Sequence, residues 1–289
     1  MESTAIQVLV GYDGSLAAGA AIEACAGLLP GAHAWVTQVW TPPFASEQLR
    51  RRLWRGAACV DEFVAAVERE GRSEADRIAA IGVTLARVAG WEAEPLVARG
   101  GGGEGFQLTT LARAADADLM VLGARGLQGA KAVLGSVSDM AVHYATCPVI
   151  VAPYPLLAAE YDEVSDGPVL VGWDGSAGAA GALHAAARLL PGRRLIPATV
   201  DLDVDPPPAP GGGTEPSLLR LTTRHDHSSA AVADSLVAAA REHAAAVMVV
   251  GSRGRSAVRE MLLGSVAMRT LHRAHRLVMV VPAEAGHQG

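Results

Sequence analysis

Four small residues near the carboxyl end of the chain, Gly251, Gly254, Gly264 and Ser265, have the spacing with the clearest chemical meaning. They lie in VMVVGSRGRSAVREMLLGSVAMRTLHRAHRLVMVVP, which runs from Val247 to Pro282. Val247 to Val250 reads as a short buried strand. From Ser265 onward Val266, Met268, Leu271 and His272 recur at helical spacing, and Leu277 to Val281 is a second apolar run closed by Pro282. Strand, glycine loop, helix and strand make a βαβ unit. Glycines at the carboxyl end of a strand let backbone N–H groups approach an anion. A helix beginning at Ser265 adds its positive dipole end and free N–H groups, which suit a phosphate. The same arrangement occurs earlier, in LMVLGARGLQGAKAVLGSVSDMAVHYATCPVIVAP from Leu119 to Pro153, where Gly123, Gly126, Gly135 and Ser136 hold the matching places.

The opening of each unit repeats as well. Val8 to Ser15 reads VLVGYDGS and Val169 to Ser176 reads VLVGWDGS, so Asp13 matches Asp174. The first unit reads as strand Gln7–Val10, helix Leu16–Leu29, strand Ala34–Val39, a long helical stretch from Ser46 to Val88 with Gly71 or Gly82 as its candidate breaks, and strand Glu92–Ala98. Pro95 assigns that strand to a sheet edge. Helix Phe106–Ala115, strand Leu119–Leu122, helix Ser136–Ala145 and strand Val149–Ala152 complete it. Tyr154 to Gly167 has two acidic clusters and little periodicity and reads as a linker. The second unit follows with strand Pro168–Gly172, helix Ala177–Leu190, strand Leu195–Asp201, strand Ser217–Thr223, helix Ser228–His243 and the glycine-loop stretch. Where the first unit has its long helix, the second has DVDPPPAPGGGTEP, Asp203 to Pro216, a composition that cannot form one and reads as mobile. The expected organisation is a first domain over 1–153, a linker over 154–167 and a second domain over 168–289 without the long helix. Alternating strands and helices predict an α/β fold with parallel sheets covered on both faces.

Composition narrows the function classes. Half of the 289 residues are apolar, 19% are charged and 4% are aromatic, so a large core is built mainly from Ala, Val and Leu. A net charge of −6 gives no general reason to expect nucleic-acid binding. Cys25, Cys59 and Cys147 are odd in number and scattered, which reads as reduced thiols in the cytoplasm. The opening residues MESTAIQVLV go straight into a strand without a basic leader, and no apolar run approaches the ~18 residues of a membrane span.

A strand ending in Asp-Gly-Ser, together with a later G-x-x-G-x9-G-[ST] loop, resembles the universal stress protein family in the tandem form common among actinobacterial members. Gly251, Gly254, Gly264 and Ser265 match the loop in full, whereas eight residues rather than nine separate Gly126 from Gly135. The resemblance implies two tandem open five-stranded parallel sheets, an adenine-nucleotide α-hydrolase-like fold, with ATP at the carboxyl ends of the strands and Mg2+ as its companion ion. It implies that Asp174 and Asp13 accept hydrogen bonds from adenine or ribose. Val200 and Val39 would present backbone groups to the adenine edge. Gly251, Gly254, Gly123 and Gly126 would lie against ribose and phosphate. Gly264, Ser265 and Val266, with Gly135, Ser136 and Val137, would meet the phosphates. The short first loop counts against the first site, and the missing long helix removes a wall of the second unit; the second unit, with its full loop, is the favoured site. The family also implies a pseudo-dimer of the two units through their last strands, Val149–Ala152 and Leu277–Val281, a homodimer by the same route, and a protein partner that reads the bound state.

Plainer readings stand beside these. Asp-Gly-Ser is ordinary turn chemistry, and a glycine loop is also a tight strand-to-helix connection. Neither loop is a Walker A motif, because Lys131 follows Ala130 and not Gly, and no Ser or Thr comes directly after it. Arg224-His225-Asp226-His227 lacks a second cluster at ligand spacing and reads as a surface turn. No Ser/His/Asp or Cys/His set assembles, so the expectation is a nucleotide-dependent regulator with at most slow ATP turnover. A ligand-free scaffold is the alternative, and an enzyme of the wider nucleotide-hydrolase group the weakest.

Overall fold

A computed structural model of the chain describes residues 5–44, 46–124, 134–210, 216–223, 227–254 and 263–283. The first half runs β1 (Gln7–Gly11), α1 (Leu16–Leu28), β2 (His33–Trp40), α2 (Glu47–Trp54), α3 (Val60–Val88), β3 (Glu92–Arg99), α4 (Glu104–Ala114), β4 (Leu119–Gly123), α5 (Ser136–Tyr144) and β5 (Val149–Ala152). Helix α6 (Ala158–Asp166) follows. The second half runs β6 (Val169–Gly172), α7 (Ala177–Leu189), β7 (Leu195–Val200), β8 (Leu219–Leu221), α8 (Ser229–Glu242), β9 (Val247–Gly251), α9 (Ser265–Arg273) and β10 (Leu277–Val281). Helix starts follow local chemistry. The hydroxyls of Ser15, Ser46, Ser176 and Ser228 accept from the N–H groups of Ala18, Leu49, Ala179 and Ala231, filling orphan donors of the first turn.

The two expected sheets are one. Ten strands run in the order β3-β2-β1-β4-β5-β10-β9-β6-β7-β8. Every neighbour pair is parallel except β5 with β10, which pair antiparallel with Val151 opposite Val278, Ile150 opposite Met279 and Val149 opposite Val280. The physical reason is burial: all of β5 and all of β10 are buried, so neither can serve as an open edge. One face of the sheet packs Ile22 of α1, Val83 of α3, Val164 of α6 and Leu183 of α7. The other packs Leu108 of α4, Val142 of α5, Leu236 of α8 and Ala267 of α9.

Four local features differ from the reading of the sequence. The stretch read as a linker contains α6, whose Val164 is buried against α1, 3.6 Å from where a Cβ on Gly27 would stand; its short apolar content hid it. Glu163 on α6 pairs with the buried Arg276 at 2.7 Å, and Arg193 donates to the carbonyls of Val164 and Gly167 at 2.9 and 3.0 Å. The long helical stretch breaks between α2 and α3, around Gly56, not at Gly71 or Gly82. Strand β8 is only three residues long. The Pro-rich stretch read as mobile is held over its described part, because Arg220 donates to the Val204 carbonyl at 3.0 Å and the Trp173 indole N–H to the Asp205 carbonyl at 2.9 Å.

Gly71 and Gly82 stay in α3 because they are where the helix touches the sheet. A Cβ on Gly82 would stand 2.6 Å from Tyr12 Cδ1 and 2.7 Å from Val36 Cγ1, both on buried residues. Alanine gains about 1 kcal/mol in helix propensity over glycine, but overpacking costs about 1–3 kcal/mol, and no exposed side-chain tip is there to yield. Gly82→Ala is therefore expected to destabilise the protein by about 1–2 kcal/mol. The midpoint of urea unfolding measures it, and an unchanged or raised midpoint would refute the close packing.

Candidate functional site

The second half gathers its chemistry where β6, β7 and β9 end. Asp174 follows β6, and its Oδ1 accepts the Ser176 N–H at 2.9 Å, which sets the turn into α7. Gly254 lies against the other carboxylate oxygen, since a Cβ there would stand 2.6 Å from Asp174 Oδ2. Gly251 ends β9 over the first turn of α7, and a Cβ on it would meet the Gly178 carbonyl at 2.6 Å. Gly178 in turn has no room for a side chain, because the Arg253 carbonyl occupies that place. Ser252 donates to the Val281 carbonyl at 2.7 Å and accepts from the Gly264 N–H at 2.7 Å. These bonds fix the two ends of the loop that runs from Gly254 to Gly264.

Helix α9 then begins with Gly264 as its cap residue, with no side-chain cap and no acid in its first turn. Its positive end faces the cavity with no acid in its own first turn to offset it. The cavity, about 430 Å³, is lined by all seven residues singled out in this half, Asp174, Val200, Gly251, Gly254, Gly264, Ser265 and Val266, with Arg253 beside them. Val232, Leu236 and Val250 supply apolar wall.

The first half repeats the plan at a smaller scale. Asp13, Val39, Gly123, Gly135 and Val137 line a cavity of about 100 Å³. Ser136 starts α5 but is not among the lining residues, and Gly126 lies outside the described residues. Ser138 donates its hydroxyl to the Gly123 carbonyl at 3.0 Å. Asp139 sits in the first turn of α5, and Glu104 lines the cavity with Asp13. Among the described lining residues this cavity carries two carboxylates and no cation. Gly123 ends β4 over the first turn of α1, where a Cβ would meet the Ala17 carbonyl at 2.7 Å, the same close approach that Gly251 makes to Gly178.

Sequence reasoning missed the rim of the larger cavity. Asp201, directly after β7, takes a left-handed conformation with φ 52°. Its carboxylate accepts the Thr223 N–H at 3.0 and 3.2 Å, the Thr223 hydroxyl and His227 Nδ1 at 2.9 Å. The Thr223 hydroxyl is the leading cause holding the Asp201 carboxyl below the usual carboxylate range, and the Thr223 N–H and His227 add to it. Asp201, Leu202, His227 and Trp173 all line the cavity. The available signal was topological: the loop between β8 and α8 emerges at the carboxyl ends of the strands, where parallel α/β sheets place their sites.

The contact between Gly178 and the Arg253 backbone tests this geometry. Gly178→Ala should push the glycine loop away and cost about 1–3 kcal/mol in urea unfolding. Gly181, on the same helix with nothing within 4 Å of a Cβ, is the control. Gly181→Ala should be neutral or stabilising by up to about 1 kcal/mol. Equal effects would refute the contact.

Comparison with known proteins places this architecture. A universal stress protein from Archaeoglobus fulgidus has 18% identity over 96% of this chain and 98% of its own, with a TM-score of 0.65. A putative universal stress protein from Pseudomonas aeruginosa has 16% identity over 97% and 94%, with a TM-score of 0.55. A universal stress protein from Archaeoglobus fulgidus in complex with dAMP has 20% identity over 52% of this chain and 98% of its own, with a TM-score of 0.32. At these identities the likeness speaks to the fold. No curated protein matched the chain. No helix among the described residues is long and apolar enough to cross a membrane. The sequence profile described as "Universal stress protein family" matches residues 7–153 and 221–282, more than half of the chain, and leaves aside the stretch that holds α6 and the Pro-rich segment. The chain belongs to the universal stress protein family.

Proposed function

We propose that the second half binds an adenine nucleotide, ATP with its Mg2+, and that the protein works as a nucleotide-dependent regulator of a stress response rather than as an enzyme. One observation carries this reading: seven residues chosen for that chemistry line a single cavity at the ends of β6, β7 and β9. Its 430 Å³ falls within the ~300–1,000 Å³ of small-molecule sites. The uncapped, acid-free start of α9 suits the phosphates, and the apolar wall suits a base. Mg2+ would arrive on the phosphates, since no group of three or more His, Cys, Asp or Glu gathers for a metal among the described residues.

The first half supports a different role. A space of about 100 Å³ whose described lining carries Asp13 and Glu104 and no cation disfavours a polyanion, whereas Asp174 and Asp201 share the larger cavity with Arg253, so this reading has one nucleotide per chain. The two domains, 1–153 and 168–289 around the segment 154–167, would then act as a pseudo-dimer in which the first supports the second and offers surface to a protein partner. The free thiols of Cys25, Cys59 and Cys147 suit the cytoplasm. The small first cavity also favours the second reading, a ligand-free scaffold.

Calorimetric titration of ATP separates the two. Wild type is expected to bind, and Gly264→Glu to abolish binding by placing charge and bulk at the start of α9. Gly123→Glu, which crowds only the first cavity, should leave ATP affinity within about two-fold. Its folding is checked by thermal unfolding, because a Cβ there meets the Ala17 backbone at 2.7 Å. No binding to wild type at millimolar ATP would leave the scaffold reading.

A further inference from the structure

Resting on the nucleotide reading of the second cavity, a finer assignment follows from its rim. Strands β9, β6 and β7 are consecutive neighbours, so the end of β7 stands two strand spacings, about 10 Å, from the end of β9. The start of α9 follows β9 and is the anion end of the cavity. A nucleotide with its phosphates there has its base directed to the far end, beside Val200, Asp201, Leu202 and His227.

His227 is the group at that end with hydrogen-bonding capacity to spare. Its Nδ1 faces Asp201 Oδ2 at 2.9 Å. An ionised carboxylate only accepts, so the proton of the neutral imidazole belongs on Nδ1 and Nε2 is left as an acceptor. Among the described residues none donates to Nε2, and 82% of the side chain is exposed on the rim. Asp201 is held in place by the Thr223 N–H and hydroxyl, which orients the ring through it.

We propose that His227 determines base specificity, its Nε2 accepting from the 6-amino group of adenine, with Asp201 and Thr223 as positioning residues. A purine with a 6-carbonyl, hypoxanthine or guanine, would set an acceptor against an acceptor. The first half lacks the device, because Trp40 follows Val39 where Asp201 follows Val200.

Inosine triphosphate differs from ATP at the 6-position and its neighbouring ring nitrogen, and keeps the same sugar and phosphates. Calorimetry with both ligands on the full-length chain tests the proposal. Wild type is expected to prefer ATP by about ten-fold, the worth of one hydrogen bond of roughly 1.4 kcal/mol. His227→Ala should bring the two affinities within about two-fold of each other, mainly by weakening ATP. Because the side chain is exposed, the fold should survive; unchanged thermal unfolding confirms that. Thr223→Val, which removes the hydroxyl from Asp201, should reduce the preference partway. A preference unchanged by His227→Ala, or equal weakening of both ligands, overturns the assignment while leaving nucleotide binding intact. Equal affinities in wild type overturn it too. Failure of wild type to bind either ligand refutes the nucleotide reading itself, and this one with it.

Discussion

The antiparallel pairing of β5 with β10 is the constraint on which the whole arrangement rests. Each half, taken alone, would end its parallel sheet in a strand that is apolar on both faces and has one row of unpaired backbone groups. Joining those two strands removes both edges at once and leaves β3 and β8 as the outer strands. Because the junction is antiparallel, the strands of the two halves run in opposite directions. Their carboxyl ends, and the two cavities built on them, therefore lie at opposite ends of the sheet. The polar contacts across the halves are subordinate to this. Arg188 with Asp118 at 2.7 Å is partly exposed and adds little, whereas the buried Arg276 is needed mainly because, once buried, it must keep Glu163.

Within that frame the halves diverge by a few local substitutions. Gly178 leaves room for the Arg253 carbonyl, and the first half has alanine, Ala17, at the matching position. Asp139 stands in the first turn of α5, and α9 has no acid there. The largest difference is the cover beyond β2 and β7. In the first half α3 lies on the sheet through Gly71 and Gly82, close to Trp40, Tyr12 and Val36. In the second half the described Pro-rich stretch takes the place of a helix, held by the Trp173 indole N–H and Arg220. Trp173 and Tyr12 occupy equivalent places, one anchoring an irregular segment and the other packing under a helix.

Most of the sheet was legible because its strands are continuous apolar runs bounded by Gly, Pro or Asp, as in Val247–Gly251 and Leu277–Val281. Pro95 marked β3 as an edge strand for a stated reason, the missing N–H. What escaped was set by tertiary contact. Gly71 and Gly82 look like helix breakers in sequence and are contact points in space. Helix α6 has one buried apolar residue, Val164, too few for a periodic signal. The site divided the same way. Glycines and the Asp-Gly-Ser turn announce themselves by spacing, but Asp201, Thr223 and His227 meet across 22 to 26 residues of chain with no motif to join them.

One chain thus holds two versions of the same strand-loop-helix unit, with cavities of about 100 and 430 Å³. The strand order within each half and the caps on α1 and α7 are alike, so neither explains the difference. What differs is the cover beyond β2 and β7, an acid in the first turn of α5 that α9 lacks, and the residue after the second strand. Fold and function separate at those positions. The sheet fixes where a ligand can be met, and three or four contacts at its strand ends decide whether there is room and charge for one.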